Sequence, residues 1–115
     1  MSWENVCNLS DIVPNGARCA LIDGEQVAIF RISKKDSEEI YAIANFDPFS
    51  KANVLSRGIV GSIGETLVVA SPIYKEHFDL ATGQCIEHED VKLKCWNVQL
   101  DGDTVQVQSL DAKAA

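Results

Sequence analysis

Four cysteines, two histidines and one aspartate in a proline-bearing loop are the side chains in this 115-residue chain whose types could do chemistry. The thiols, Cys7, Cys19, Cys85 and Cys95, form no Cys-x-x-Cys pair and stand at irregular spacing. That pattern fits neither a zinc site nor a redox dithiol. The expectation is four reduced thiols, buried and acting as small apolar residues. His77 and His88 are the only histidines. A histidine close to Tyr74 is a ligand, a proton donor or, most commonly, a solvated strand position. Cys85 and His88 could pair as nucleophile and base, but such pairs are normally assembled from distant segments. Asp47 is read as a turn residue that bonds its own backbone, ahead of a catalytic acid. No glycine-rich phosphate loop, serine elbow or paired-carboxylate site stands out. No independent catalytic residue and no metal ligand are therefore assigned.

Two segments have the composition of specialised loops. The first is Asn45-Phe46-Asp47-Pro48-Phe49. The second is Ala70-Ser71-Pro72-Ile73-Tyr74, which runs into Lys75-Glu76-His77-Phe78-Asp79. Each follows a β-rich run and carries a central proline, which fixes φ and extends the preceding residue, so both loops should be stiff.

The elements that must hold these loops read as short strands. Ala17–Ile22 and Glu25–Ile32 flank Asp23-Gly24, a pair suited to a tight primed turn. Ile40–Ala44 and Glu65–Ala70 are further strand candidates, as are Phe78–Leu80 and Gln84–Ile86 on either side of Ala81-Thr82-Gly83. Lys92–Leu100 should pair with Thr104–Gln108 across Asp101-Gly102-Asp103. The apolar phase breaks in the first of these, between Cys95 and Trp96, which predicts a β-bulge there. Short helical turns are expected at Leu9–Val13, before Pro14, and at Phe49–Ser56, before Gly58. Strands at this spacing argue for an all-β antiparallel sandwich or partial barrel with short helical turns. The chain reads as one domain over residues 1–108, with a flexible tail over 109–115.

Charge and hydropathy exclude several partners. The formal net charge is −7, which disfavours nucleic acid and anionic lipid. The acidic runs Asp36–Glu39 and Glu87–Asp90 are most simply solvated surface, or else a docking face. The longest apolar runs are too short to cross a bilayer. Met1–Asn5 begins no secretory leader, so a cytoplasmic location is expected.

Together the loops and hairpin resemble the Rieske iron–sulfur domain. That family places Cys-Pro-His in a first loop and Cys-Pro-x-His in a second, followed by a hairpin with Phe-Asp and Thr-Gly-x-Cys. Here Pro48 and Pro72 match the two prolines, and Phe78-Asp79-Leu80 and Thr82-Gly83-Gln84-Cys85 match the hairpin. The four ligand positions fall on Asp47, Phe49, Ser71 and Tyr74, whereas a Rieske cluster takes two thiolates and two imidazoles. The resemblance thus implies the fold without its cluster.

Within that family, Val27-Ala28-Ile29-Phe30-Arg31, Asp47-Pro48-Phe49, Val54-Leu55-Ser56-Arg57-Gly58-Ile59 and Ala70-Ser71-Pro72 read like motifs of the small subunit of assimilatory NAD(P)H-dependent nitrite reductase. This implies a non-catalytic subunit with no cofactor of its own. The implied partner is a large catalytic subunit carrying FAD, an iron–sulfur cluster and sirohaem, which reduces nitrite to ammonia. The alternatives are a cluster-less interaction module of another redox or regulatory complex and, more remotely, an independent cysteine enzyme. Docking is expected through Pro48, Phe49, Lys51, Arg57, Pro72, Tyr74, Lys75 and His77. Phe49 and Tyr74 either contact the partner or fill the volume a cluster would take.

Overall fold

The computed structural model describes residues 3–108; the expected tail over 109–115 lies outside the described residues. Eleven strands are seen among these residues: β1 (Glu4–Asn8), β2 (Ala17–Ile22), β3 (Glu25–Ser33), β4 (Glu38–Ala44), β5 (Phe46–Asp47), β6 (Ala52–Asn53), β7 (Ile59–Ile63), β8 (Thr66–Ala70), β9 (His77–Asp79), β10 (Cys95–Asp101) and β11 (Thr104–Gln108). Short 3-10 turns cover Leu9–Asp11 and Leu55–Arg57. A six-stranded sheet has the order β1-β11-β10-β4-β3-β2, a three-stranded sheet the order β7-β8-β9, and β5 pairs with β6. Every pairing is antiparallel. The all-β antiparallel architecture expected from the sequence is the one observed.

The expected hairpins form where the turn chemistry asks for them. Asp23 (φ +51°) and Gly24 (φ +81°) close β2 onto β3, both in the left-handed region that a primed turn requires. Asp101 and Thr104 pair across a turn that starts with Gly102 at φ +62°.

Two hydrophobic clusters share the long strands. Ala28, Phe30, Ile32, Ile43 and Leu93 belong to the first, with Leu55, Val69, Phe78, Leu80 and Cys85. Val27, Ile29, Ala42 and Trp96 belong to the second, with Leu9, Ile12, Ile22, Val105 and Val107. Both faces of β3 are therefore buried, which accounts for its unbroken apolar run.

The same arrangement corrects the expected bulge. Leu93 and Cys95 face the first cluster, while Trp96, Val98 and Leu100 face the second. Cys95 and Trp96 pair with β4, and Asn97–Asp101 pair with β11 without a register shift. The apparent phase break is a strand passing between two cores. The register shift lies in β1 instead, between Asn5 and Cys7.

The expected helical turn at Phe49–Ser56 is also corrected. Its first residues, 49–51, form a turn, its middle returns as β6 to pair with β5, and only its end enters the 3-10 turn Leu55–Arg57. Asp47 accepts the N–H groups that fold the chain back, so the segment closes as a turn before a helix can start.

Candidate functional site

Asn45 and the run after it fix the root of the first loop. Asn45 is buried and its polar groups are all used. Its N–H donates to the Gln26 carbonyl (3.0 Å), and its carbonyl accepts from the Leu55 N–H (3.1 Å). Its Nδ2 donates to Gln26 Oε1 (3.1 Å) and its Oδ1 accepts from the Ser56 N–H (2.7 Å). Four bonds on one buried side chain and its peptide make a positioning residue of Asn45. In the sequence Asn45 stands out only as part of a loop; a lone polar residue ending an apolar strand is the available signal. Gly58 then brings this segment onto β8, because a Cβ there would stand 2.4 Å from the Ala70 carbonyl oxygen and 2.6 Å from Val69 Cγ2. The Val54–Ile59 run is thus the spacer between the two loops.

At the loop starts, Asp47 (0% exposed) and Ser71 (1%) meet inside the protein. The Ser71 hydroxyl donates to Asp47 Oδ2 at 2.5 Å. Ser50 Oγ donates to the same oxygen (2.9 Å), and the Phe49 N–H donates to Oδ1 (2.9 Å). Burial pushes the Asp47 carboxyl upward, but the Ser71, Phe49 and Ser50 hydrogen bonds outweigh it and hold the group below its ordinary value. The reading of Asp47 as a turn residue accounts for the Phe49 bond; the cross-loop bond to Ser71 has no signal in the sequence.

Phe49 and Tyr74 differ in burial. The Phe49 ring is half-buried against the first cluster, 6.2 Å from Phe78 and 4.8 Å from the His88 ring. Tyr74 is 61% exposed, beside exposed Pro72, Ile73 and Lys75. Lys51 and Arg57 are exposed and Pro48 is half-buried. His77 is drawn away from the tip: its Nδ1 lies 2.5 Å from Glu87 Oε2, and its N–H donates to Glu87 Oε1 (2.8 Å).

The hairpin after β9 braces the second loop. Gln84 Nε2 donates to the carbonyls of Glu89 and Val91 (3.1 and 3.0 Å), which holds that connection to the body. His88 Nε2 lies 3.9 Å from Glu76 Oε2. The acidic runs are therefore partly paired: Glu38 with Arg31, Glu39 with Lys34, Glu87 with His77.

The uniform burial expected of the cysteines is corrected. Cys85 is buried and Cys19 exposed, with Cys7 and Cys95 between; all four are unpaired. Cys19 sits on an edge strand, where only one neighbour covers it. Burial raises the Cys85 thiol above its ordinary value, which opposes the thiolate that nucleophilic chemistry needs. A maleimide should therefore label Cys19 first in the native protein and Cys85 only on unfolding. Denatured, unreduced protein should titrate as four thiols. A smaller count, or early labelling of Cys85, would contradict this arrangement.

Comparison with known proteins places this geometry in a family. The model of the Rieske-like [2Fe-2S] domain matches residues 2–108. The nitrite reductase (NADH) small subunit of Salmonella typhimurium is 42% identical over 106 residues, 92% of this chain and 96% of the relative. The chain belongs to the Rieske-like family, among the nitrite reductase small subunits. The NMR structure of the E. coli protein NirD shares its fold with a TM-score of 0.84 at 40% identity, over 92% of this chain and 94% of that one. A nitrite reductase [NAD(P)H] large subunit from Klebsiella oxytoca also contains a matching stretch, 33% identical over 114 residues and only 12% of that protein.

The family's group does not fit this small-subunit relative. A Rieske cluster takes two thiolates and two imidazoles. The matching positions here offer the carboxylate of Asp47, the phenyl ring of Phe49, the hydroxyl of Ser71 and the phenol of Tyr74. Two of the four are bonded to each other, and a third is packed inward. Among the described residues no set of three or more His, Cys, Asp or Glu side chains is placed to hold a metal ion. No helix among them is long and apolar enough to cross a membrane.

Proposed function

We propose that this chain is the cluster-free supporting subunit of a cytoplasmic NAD(P)H-dependent nitrite reductase, whose large subunit reduces nitrite to ammonia. The FAD, iron–sulfur cluster and sirohaem that this chemistry uses belong to the large subunit. The observation that carries the reading is near full-length similarity to nitrite reductase small subunits. The stretch within the Klebsiella oxytoca large subunit supports association, since there the same module is part of the larger polypeptide. The Asp47–Ser71 bond supports the cluster-free half, because it fastens directly two loops that the cluster joins in a Rieske protein.

The docking surface is the tip formed by the two loops. Tyr74 and Ile73 offer exposed apolar contact, and Lys51, Arg57 and Lys75 offer charge. Aromatic and arginine side chains are enriched among energetically important contacts. Phe49 supports the tip from within by packing near Phe78, while His77 is held by Glu87 away from it.

The purified chain should be colourless and free of iron, and should bind the large subunit in a titration. Arg57→Ala should weaken that binding with a nearly unchanged melting temperature. Stoichiometric iron with a Rieske-type paramagnetic signal after reduction would overturn the cluster-free reading. Unchanged binding of Arg57→Ala would remove that residue from the interface.

A further inference from the structure

The two loops carry the same backbone device. In each, the first residue's side-chain oxygen accepts the N–H two residues on: Asp47 Oδ1 from Phe49 (2.9 Å) and Ser71 Oγ from Ile73 (3.3 Å). In each, the same residue's carbonyl accepts the N–H of a lysine four positions later: Lys51 to Asp47 (2.7 Å) and Lys75 to Ser71 (3.1 Å). Both lysines are left-handed, with φ +59° and +66°.

This is an unusual residue for the place. The other non-glycine residues with positive φ among the described residues are Asn15 and Asp23, types that tolerate the region. At its other left-handed turns the chain uses glycine: Gly24, Gly64, Gly83 and Gly102. A lysine there costs stability that glycine would not. The chain accepts that cost twice, at equivalent positions.

Neither lysine is used internally. Both are exposed, and among the described residues neither side chain has a hydrogen-bonding or ion-pair partner, whereas Lys34 bonds Glu39 and Arg31 bonds Glu38. Within residues 45–58 and 71–75 the only acidic residue is Asp47, which is buried and bonded within the loops, while Lys51, Arg57 and Lys75 are exposed. On a chain of net charge −7 the two loops thus carry three exposed basic residues, with half-buried Glu76 beside Lys75 and the acidic run Glu87–Asp90 reaching the first loop through the Phe49–His88 contact.

We propose that Lys51 and Lys75 are a matched pair of cationic anchors that fasten the tip to an acidic patch on the large subunit. The left-handed backbone presents each lysine from the same place on its loop, and the Asp47–Ser71 bond couples the two loops. The proposal rests on the reading that the tip docks on the large subunit. Exposed charges of this kind act through on-rate and salt dependence.

Titration of the large subunit with K51G/K75G tests it, because fold and binding should move in opposite directions. The glycine pair relieves both backbones, so the melting temperature should rise or hold. Affinity at low salt should fall about tenfold, the deficit shrinking as salt is added. K51R/K75R should bind like the parent. If the glycine chain is less stable than the parent, K51Q/K75Q is judged by the same affinity criterion. Parent-like affinity of the neutral pair at low salt overturns the anchor proposal. Tyr74→Ala separates that outcome from the broader one: lost binding there keeps the tip as the docking site, and unchanged binding in both removes the docking reading as well.

Discussion

Asp47→Ala is expected to destabilise the domain by about 3–5 kcal/mol, a large share of the roughly 5–15 kcal/mol available to a single domain. The carboxylate is fully buried and accepts from Ser71, Ser50 and the Phe49 N–H. Hydrogen bonds to charged groups contribute about 1.5–3 kcal/mol each, and their removal strands three donors at once. Ser71→Ala removes one donor and leaves two, so its cost should be about 2 kcal/mol. The two changes share a bond, so the double variant should cost less than their sum. Urea midpoints for the two single variants and the double variant check this. A loss below about 1 kcal/mol for Asp47→Ala would mean that the loops do not depend on the bond.

The same carboxylate sets a pH dependence. Its folded value lies below its ordinary one, because the Ser71, Phe49 and Ser50 bonds outweigh the opposing effect of burial. Near that range the unfolded chain binds more protons than the folded one. The stabilisation is therefore full above the unfolded value and is lost as pH falls through the folded value. Glu38, bonded by Arg31 and Ser33, shifts the same way. Only the difference between the parent and Asp47→Asn isolates Asp47. That difference should be largest near neutral pH and should narrow as the solution is acidified below the usual carboxylate range. A gap that widens in acid would reverse the sign of the shift.

Gly83→Ala is expected to cost about 3 kcal/mol or more, through both overpacking and a left-handed backbone. Gly83 has φ +81°, and a Cβ there would stand 2.2 Å from the Leu93 carbonyl oxygen. The Leu93 N–H donates to the Gly83 carbonyl (2.8 Å), so the contact cannot open without losing a bond. Gly102 is the control: φ is +62°, but nothing lies within 4 Å of the place a methyl would take. Gly102→Ala should cost only about 1 kcal/mol. Equal losses at the two positions would show that close approach at Gly83 is not what excludes a side chain.

These positions show what could be read from the chain. Thr82-Gly83 and Asp23-Gly24 were legible because turn chemistry is local. The frame Pro48, Pro72 and Phe78–Cys85 was legible because it matches a family pattern. The contact between Asp47 and Ser71 was not, since nothing local couples residues 24 apart in sequence. β1 and β7 were missed for another reason. Their mostly exposed residues show no clean alternation, and a strand held mainly by backbone bonds leaves little trace in side-chain pattern. Trp96 misled because a strand between two cores has no polar face to mark its phase. Phe49 and Tyr74 could not be separated by type; packing against Phe78 and His88 distinguishes them.

Reconstitution of nitrite reduction tests the account most directly. The large subunit is purified without this chain and assayed with reduced nicotinamide and nitrite, then again with saturating, iron-free small subunit. The account predicts turnover to ammonia that rises several-fold on addition and none from the small chain alone. A large subunit at full rate by itself, indifferent to the added chain, would contradict it.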